Sequence, residues 1–268
     1  LLFITHPQTG IIMLSKGWSK FIISLQKKKE REERRLFTVE GDKLVREFLM
    51  SDWIVEVLAG KPEYLASLPA ELKNKASEII PLSYDELKKI SSLTTPHNAL
   101  AVIRMPITMI DPEEINNSLT LMIDTIQDPG NMGTIIRVAA WFGIKNIICS
   151  ENSVDIYNQK VIQATMGALL SVKVHYTGLK EFLSSIHSRG NPVYAAMLDG
   201  KSIYSADLSE KGIILLGNES RGISAELLPL VTKKIVIPKF ARSAAGVESL
   251  NVGMAASIIV SEFARRSL

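Results

Sequence analysis

Three short stretches carry the side chains best able to bind a ligand and react with it: DTIQDPGNMGTIIR at residues 124–137, LLGNESRGIS at 215–224 and IPKFARSAAGVESLNVGMAAS at 237–257. Asn131, Asn218 and Asn251 bring amides that donate and accept, Glu219 a carboxylate, Ser249 a hydroxyl, and Arg137 a permanent five-donor fork. Such a set can hold a polar ligand and stabilise negative charge as it develops on an oxygen. In the first stretch turn residues lead into an apolar run. Asn131 is placed to cap that helix, and Gly133 allows close backbone approach. A helix start also attracts anions through its free N–H groups. Arg137 then stands among Ile135, Ile136, Val138, Ala139, Ala140, Trp141 and Phe142, a cation on a helix with little polar surface.

Each stretch has a plainer explanation. A Gly-Asn-Glu loop is most often a turn, a lone arginine among apolar residues often meets a buried carboxylate, and Ser249 and Asn251 are good caps for the last helix. The functional reading rests on all three occurring together. Other nucleotide and hydrolase motifs fail. G-x-G-x-x-G is absent, Ile223 stands where a phosphate-loop lysine belongs, and Asn218 replaces the glycine that would precede Ser220 in a nucleophile elbow. A dehydrogenase, an ATPase and a serine hydrolase are all disfavoured.

The elements that must position these residues follow from hydrophobic pattern. LFTVEG, DWIVEVLAG, ASEIIPLS and NALAVIRM read as strands with helices between them, and Ser83 with Glu86 forms a capping box before the last. This describes a small α/β domain over residues 13–104. The proline-bearing MPITMIDPEEINNS marks a linker at 105–118. From residue 119 to 268, short apolar strands (LTLMID, NIICS, SVKVHY, PVYAAML, GIILLG, KKIVIP) alternate with helices, including NQKVIQATMGALL, SAELLPLV and LNVGMAASIIVSEFARR. That is the signature of a parallel sheet covered on both faces, whose ligands collect at the carboxyl ends of the strands.

Composition narrows the class. The chain has 268 residues, 46% hydrophobic and 22% charged, as soluble globular domains do. No apolar run nears the ~18 residues of a membrane span. Met13 is a plausible start, so residues 1–12 are set aside. Cys149 is the only cysteine, which fits a reducing cytoplasm, and His6, His97, His175 and His187 show no metal-ligand spacing. No metal is expected. Net charge is +3, but from Lys16 to Arg35 eight basic residues face three acidic ones. This run is either a solvated amphipathic helix or a phosphate-contacting arm.

The three motifs resemble those of the SpoU/TrmH branch of the SPOUT RNA methyltransferases: Asn131, Gly133 and Arg137; residues 216–224; and Ile237-Pro238 with residues 248–252. The likeness covers residues 119 to the C-terminus. The first half resembles, more loosely, the L30e-like substrate-binding domain many members carry, with Asn98 where the family pattern has glycine. The connection from Pro238 to Glu248 is longer than the family's. The resemblance implies transfer of a methyl group from S-adenosylmethionine to a ribose 2′-hydroxyl of RNA and not of DNA; the accessory N-terminal domain tilts this towards ribosomal RNA, with transfer RNA the alternative. It also implies a C-terminal trefoil knot and a homodimer built on the first-motif helix and the last helix. It assigns cofactor binding to Leu216, Gly217, Asn218, Ile237 and Leu250, and catalysis to Arg137 with Asn131, Glu219, Ser249 and Asn251. A guanidinium is too firmly protonated to be a simple base, so Arg137 is expected to hydrogen-bond the reacting oxygen and an adjacent phosphate. The alternatives are base methylation by a related enzyme, or a non-catalytic RNA-binding or ribosome-assembly factor of the same fold.

Overall fold

The structure, a computed structural model, describes residues 14–187, 190–241 and 248–266. The expectation for residues 1–12 therefore lies outside the described residues. The chain divides into two units, one reaching Ile107 and including Tyr157–Leu170, the other comprising Thr108–Ile156 and the chain from Ser171 onward.

The first unit runs α1 (Lys16–Ser24), α2 (Lys28–Arg34), β1 (Leu36–Glu40), α3 (Asp42–Met50), β2 (Val55–Gly60), α4 (Pro62–Ser67), α5 (Ala70–Lys73), β3 (Ala76–Pro81), α6 (Tyr84–Ile90) and β4 (Ala99–Arg104). Its four strands lie in the order β1-β4-β2-β3. β4 is antiparallel to both neighbours, and β2 and β3 are parallel. The expected capping box is present, with Ser83 and Glu86 satisfying each other's backbone N–H groups at the start of α6. The basic run forms two helices rather than one. From α2, Arg31 reaches back to the connection between them, its Nη1 donating to the carbonyls of Leu25 and Gln26 at 3.0 and 2.8 Å. On α2, Lys28, Lys29 and Arg34 pair with Glu32, Glu33 and Glu30 one turn away, as on an ordinary solvated helix.

The second unit runs α7 (Pro112–Asn116), β5 (Leu119–Ile123), α8 (Pro129–Trp141) and β6 (Asn146–Cys149) before the chain leaves it. The excursion holds α9 (Gln159–Thr165). The chain then returns with β7 (Lys173–Tyr176), α10 (Leu179–His187), β8 (Val193–Ser202), β9 (Gly212–Leu216), β10 (Lys233–Val236) and α11 (Val252–Arg266). All six strands are parallel, in the order β10-β8-β9-β5-β6-β7. In β9, Ile213, Ile214, Leu215 and Leu216 are at most 1% exposed, each burial worth about 1.5–3 kcal/mol. β5 and β9 pair at the centre, Ile123 beside Leu216. From β5 the chain moves on to β6, on the side away from β9, whereas from β9 it passes over β8 to β10. Neighbouring strands whose continuations diverge open a crevice at their carboxyl ends.

Residues 157–170 group by contact with the first unit, where Gln159 and Gln163 donate to the β1 carbonyls of Thr38 and Glu40 at 2.7 and 2.8 Å. Three expectations about local elements are corrected. NQKVIQATMGALL is not one helix: Met166 and Gly167, at φ 49° and 88°, end α9 after seven residues. SAELLPLV contributes only a 3₁₀ turn over Leu228–Leu230, since Pro229 lacks the N–H a longer helix requires. The linker at 105–118 contains α7.

Arg265 and Arg266 clamp the buried Glu262 of α11, with nitrogens 2.9 and 2.8 Å from its Oε1. Arg266 also donates to the carbonyls of Ile203, at 2.7 Å, and Ala206. The hydrogen bond from Arg265 first, opposed by burial and reinforced by Arg266, pulls the Glu262 carboxyl from 4.5 down to about 2. A depressed carboxyl stabilises the fold above its unfolded pKa, and that contribution fades as pH falls towards the folded value. The Tm advantage of the wild type over Glu262→Gln should therefore be full at pH 6 and shrink from about pH 4.5 towards 2. A gap constant across this range in thermal melts would contradict the clamp.

Candidate functional site

β5 ends in Ile123, with Asp124 following, β9 ends in Leu216, and the loops beyond these strands meet. The loop after β9 is built around its two glycines. A Cβ on Gly217 would lie 2.4 Å from the carbonyl carbon of Gly222, so only glycine fits. Asn218 and Gly222 exchange backbone hydrogen bonds of 2.9 Å. The Asn218 side chain holds the turn from within. Its Oδ1 accepts from the backbone of Ser220 and Arg221 at 3.0 Å each, and its Nδ2 donates to the Thr125 carbonyl at 2.7 Å. Glu219 is left at the exposed tip.

The helix α8 starts below that tip. Its cap is Asp128, whose carboxylate accepts the Asn131 N–H at 2.8 Å, with Pro129 in the first turn. The expectation that Asn131 caps this helix is thus corrected, and its side chain is free for other partners. Its Nδ2 donates to Glu219 Oε1 at 2.8 Å, and its Oδ1 accepts from Asn251 Nδ2 at 2.8 Å. Asn251 in turn caps α11, its Oδ1 accepting from Gly253 and Met254 at 3.0 and 3.2 Å. Three segments far apart in sequence are therefore joined in one chain, Asn251 to Asn131 to Glu219. α11 packs closely on α8, where a Cβ on Gly253 would touch Thr134 Cγ2 at 3.0 Å.

The remaining predicted residues fall around this chain. Ser249 and Leu250 are exposed just before α11, and Ile237 is half-buried just after β10. The main-chain groups of Gly217, Ile237 and Leu250 have no hydrogen-bond partner among the described residues. Leu216 is buried at the strand end, and its carbonyl accepts the Asp124 N–H at 2.9 Å. The longer connection after Pro238 lies mostly outside the described residues. Arg137 is exposed, with no hydrogen-bond or ion-pair partner among the described residues. The buried carboxylate on this face, Glu262, is taken by Arg265 and Arg266 and not by Arg137. It shares a shallow depression with Thr134, Trp141, Ser257 and Ser261 on the α8–α11 face. Trp141 is 85% exposed, so it is not a core residue.

Asp124 and Thr125 stand in the first motif stretch but sequence reasoning gives them no role there, and it does not single out Ser150 at all. Asp124 is 3% exposed and accepts the Ser224 N–H at 2.7 Å and the Thr125 hydroxyl at 2.9 Å. An acid closing the apolar run LTLMI was the available signal. Among the described residues no cluster of histidine, cysteine, aspartate or glutamate is arranged to hold a metal.

Comparison with known proteins places the chain in a family. The model of the SpoU rRNA Methylase family matches residues 118–261, and that of the MRM3-like substrate binding domain matches residues 19–101. The 23S rRNA (guanosine(2553)-2′-O)-methyltransferase RlmP of Bacillus subtilis is 30% identical, over 91% of this chain and 93% of its own. The mitochondrial rRNA methyltransferase 3 of Mus musculus is 27% identical, over 88% and 69%. Among solved structures, a TrmH-family protein from Porphyromonas gingivalis superposes with TM-score 0.84 and 39% identity, covering 95% of this chain and 99% of its own. An AdoMet-bound rRNA methyltransferase from Sinorhizobium meliloti superposes with TM-score 0.83 and 26% identity, covering 95% and 97%.

Asn251 has two separable duties. Asn251→Ala removes both the cap and the bond to Asn131, and should cost about 1 kcal/mol in chemical denaturation. Asn251→Asp keeps an oxygen for the cap, so the midpoint should stay near wild type while the donor to Asn131 is lost. Equal destabilisation by the two would refute the capping role.

Proposed function

The chain belongs to the SpoU rRNA Methylase family, and we infer from the site that it transfers a methyl group from S-adenosylmethionine to a ribose 2′-hydroxyl of RNA. The observation that carries the reading is the Asn251–Asn131–Glu219 chain at the ends of β5 and β9, on the helix that presents an unpartnered Arg137. The MRM3-like match over residues 19–101 favours ribosomal RNA as substrate, with residues 13–104 as the RNA-binding domain and 119–268 as the methyltransferase domain.

The residues at the crevice suit the methyl donor. The free main-chain groups at Gly217, Ile237 and Leu250 can recognise an adenine edge without a side-chain fingerprint, and half-exposed Leu250 and Ile237 offer apolar surface to its ring. Asn218 contributes by fixing the loop. S-adenosylmethionine supplies a methyl group already activated by its sulfonium. A 2′-hydroxyl is a poor nucleophile at neutral pH, so the protein must place that oxygen and ease the loss of its proton. Arg137, with its donors free, hydrogen-bonds the oxygen and a neighbouring phosphate and stabilises the developing negative charge. Glu219, Asn131 and Asn251 form a fixed hydrogen-bonding wall for the ribose, and Ser249 stands beside Asn251 at its rim. The proton leaves to another acceptor or to water.

The finer features of the family belong to this reading. The trefoil knot would involve the connection after Pro238, whose residues 242–247 lie outside those described; α11 returning to pack on α8 supports it. A homodimer through α8 and α11 is supported by Trp141, 85% exposed, and Met254, 64% exposed, on those helices. No described helix is long and apolar enough to cross a membrane. A cytoplasmic site of action fits the single buried, reduced Cys149.

Incubation with labelled donor and ribosomal RNA, followed by alkaline hydrolysis, tests the chemistry. A 2′-O-methyl group blocks cleavage at the modified nucleotide, so label should appear in alkali-stable dinucleotides. Label in mononucleotides would mean base methylation, and no label on any RNA would favour the binding-factor alternative. Arg137→Ala should reduce transfer at least ~100-fold while leaving donor affinity within a few fold. A comparable loss of donor binding would misplace its role. Sedimentation of the wild type should give a dimer, and Trp141→Glu a monomer; a monomeric wild type would refute the interface.

A further inference from the structure

We infer that Asp124 is a positioning residue for the methyl-transfer site, fixing the Glu219-bearing loop at both ends through its own carboxylate and the neighbouring Thr125. The inference rests on the activity proposed above. Asp124 continues the pairing of β5 with β9, its N–H donating to the Leu216 carbonyl at 2.9 Å. Its two carboxylate oxygens then diverge. Oδ2 accepts the Ser224 N–H at 2.7 Å, across 100 residues of sequence, and fixes the far end of the loop. Oδ1 accepts the Thr125 hydroxyl at 2.9 Å. Thr125 has φ 60°, a left-handed conformation that β-branched residues rarely adopt. The bonds around it account for that: its N–H donates to Ser150 Oγ at 2.8 Å, and its carbonyl accepts Asn218 Nδ2 at 2.7 Å, which fixes the near end of the loop.

Between the two anchors lies Glu219, bonded to Asn131 and through it to Asn251. Asp124 is 3% exposed, so its carboxylate does not line the crevice, and its effect passes through the loop. What the site requires of residue 124 is an acceptor oxygen at one fixed reach from the strand end. Shape decides, and charge does not. Asparagine keeps one oxygen at that reach for the Ser224 N–H and sets its amide N–H against the Thr125 hydroxyl, which can turn to accept, whereas glutamate keeps the charge but carries both oxygens one methylene further.

Donor affinity, measured calorimetrically with S-adenosylhomocysteine, and steady-state methylation of ribosomal RNA test this in the full chain. Asp124→Ala should weaken binding of the probe about tenfold and lower kcat about 100-fold, with KM for RNA within about twofold. Asp124→Asn should recover most of both losses, within about threefold of wild type, and Asp124→Glu should recover little. Should Asp124→Ala fail to fold, the order of Asn against Glu still decides. Glutamate outperforming asparagine, or alanine behaving as wild type, would overturn the inference. A wild-type chain that binds the probe in this residue-dependent way but methylates no RNA would overturn the proposed activity and leave the positioning role intact.

Discussion

One primary amide joins the crevice. Asn131 donates to Glu219 and accepts from Asn251 at the same time, both at 2.8 Å, tying the start of α8 to the loop after β9 and the start of α11. Few side chains can do this. A carboxylate in its place has no proton for Glu219 and would repel it, and an apolar residue would leave both partners unsatisfied. Each partner is held in turn: Glu219 by a loop that closes on itself through Asn218 and Gly222, and Asn251 by its cap on α11. A hydrogen-bonded network in which every member has a second anchor is rigid, and rigid placement is what a displacement at a single methyl group requires.

The amide can act only because the sheet brings its partners together. Asn131 and Glu219 are 88 residues apart in sequence, and Asn251 is 120 residues from Asn131. The pairing of β5 with β9 removes the first separation, since it sets Ile123 beside Leu216 and so aligns the residues that follow them. The divergence of the chain beyond those strands then leaves room between the loops. The packing of α11 on α8 removes the second separation. Gly253 permits the contact, since any side chain there would press on Thr134. The burial of apolar strands is thus the cause of the site's geometry, and the polar residues record its result.

The alternation of strands and helices, the parallel second sheet and the residues of the Asn251–Asn131–Glu219 chain were legible in the sequence, because short apolar runs and local motifs are written in neighbouring residues. What was not legible depends on distant contacts. Nothing beside Asp124 announces that it will meet Ser224, and nothing local shows that Asp128, not Asn131, caps α8. Residues 158–170 read as one helix of the second domain, but Gln159 and Gln163 find their acceptors on β1, and Gly167 supplies a left-handed stop. Leu216 shares a motif with Glu219, but only the fold shows that it closes a fully buried strand.

Arg137 shows how a motif and its surroundings can point in different directions. Apolar residues on both sides suggested an enclosed helix, where an unpaired guanidinium would cost several kcal/mol. The helix is not enclosed. Thr134, Arg137 and Trp141 follow one another at spacings of three and four residues, which places them on one stripe of α8, and that stripe is exposed. Asn131 lies six residues before Arg137, about 9 Å along the axis and roughly a third of a turn around it. The residue fixed in the hydrogen-bonded chain and the free cation therefore leave the same rigid helix in different directions. Immobility in one and freedom in the other are consistent duties for a helix that must hold one reactant still and receive another from solvent.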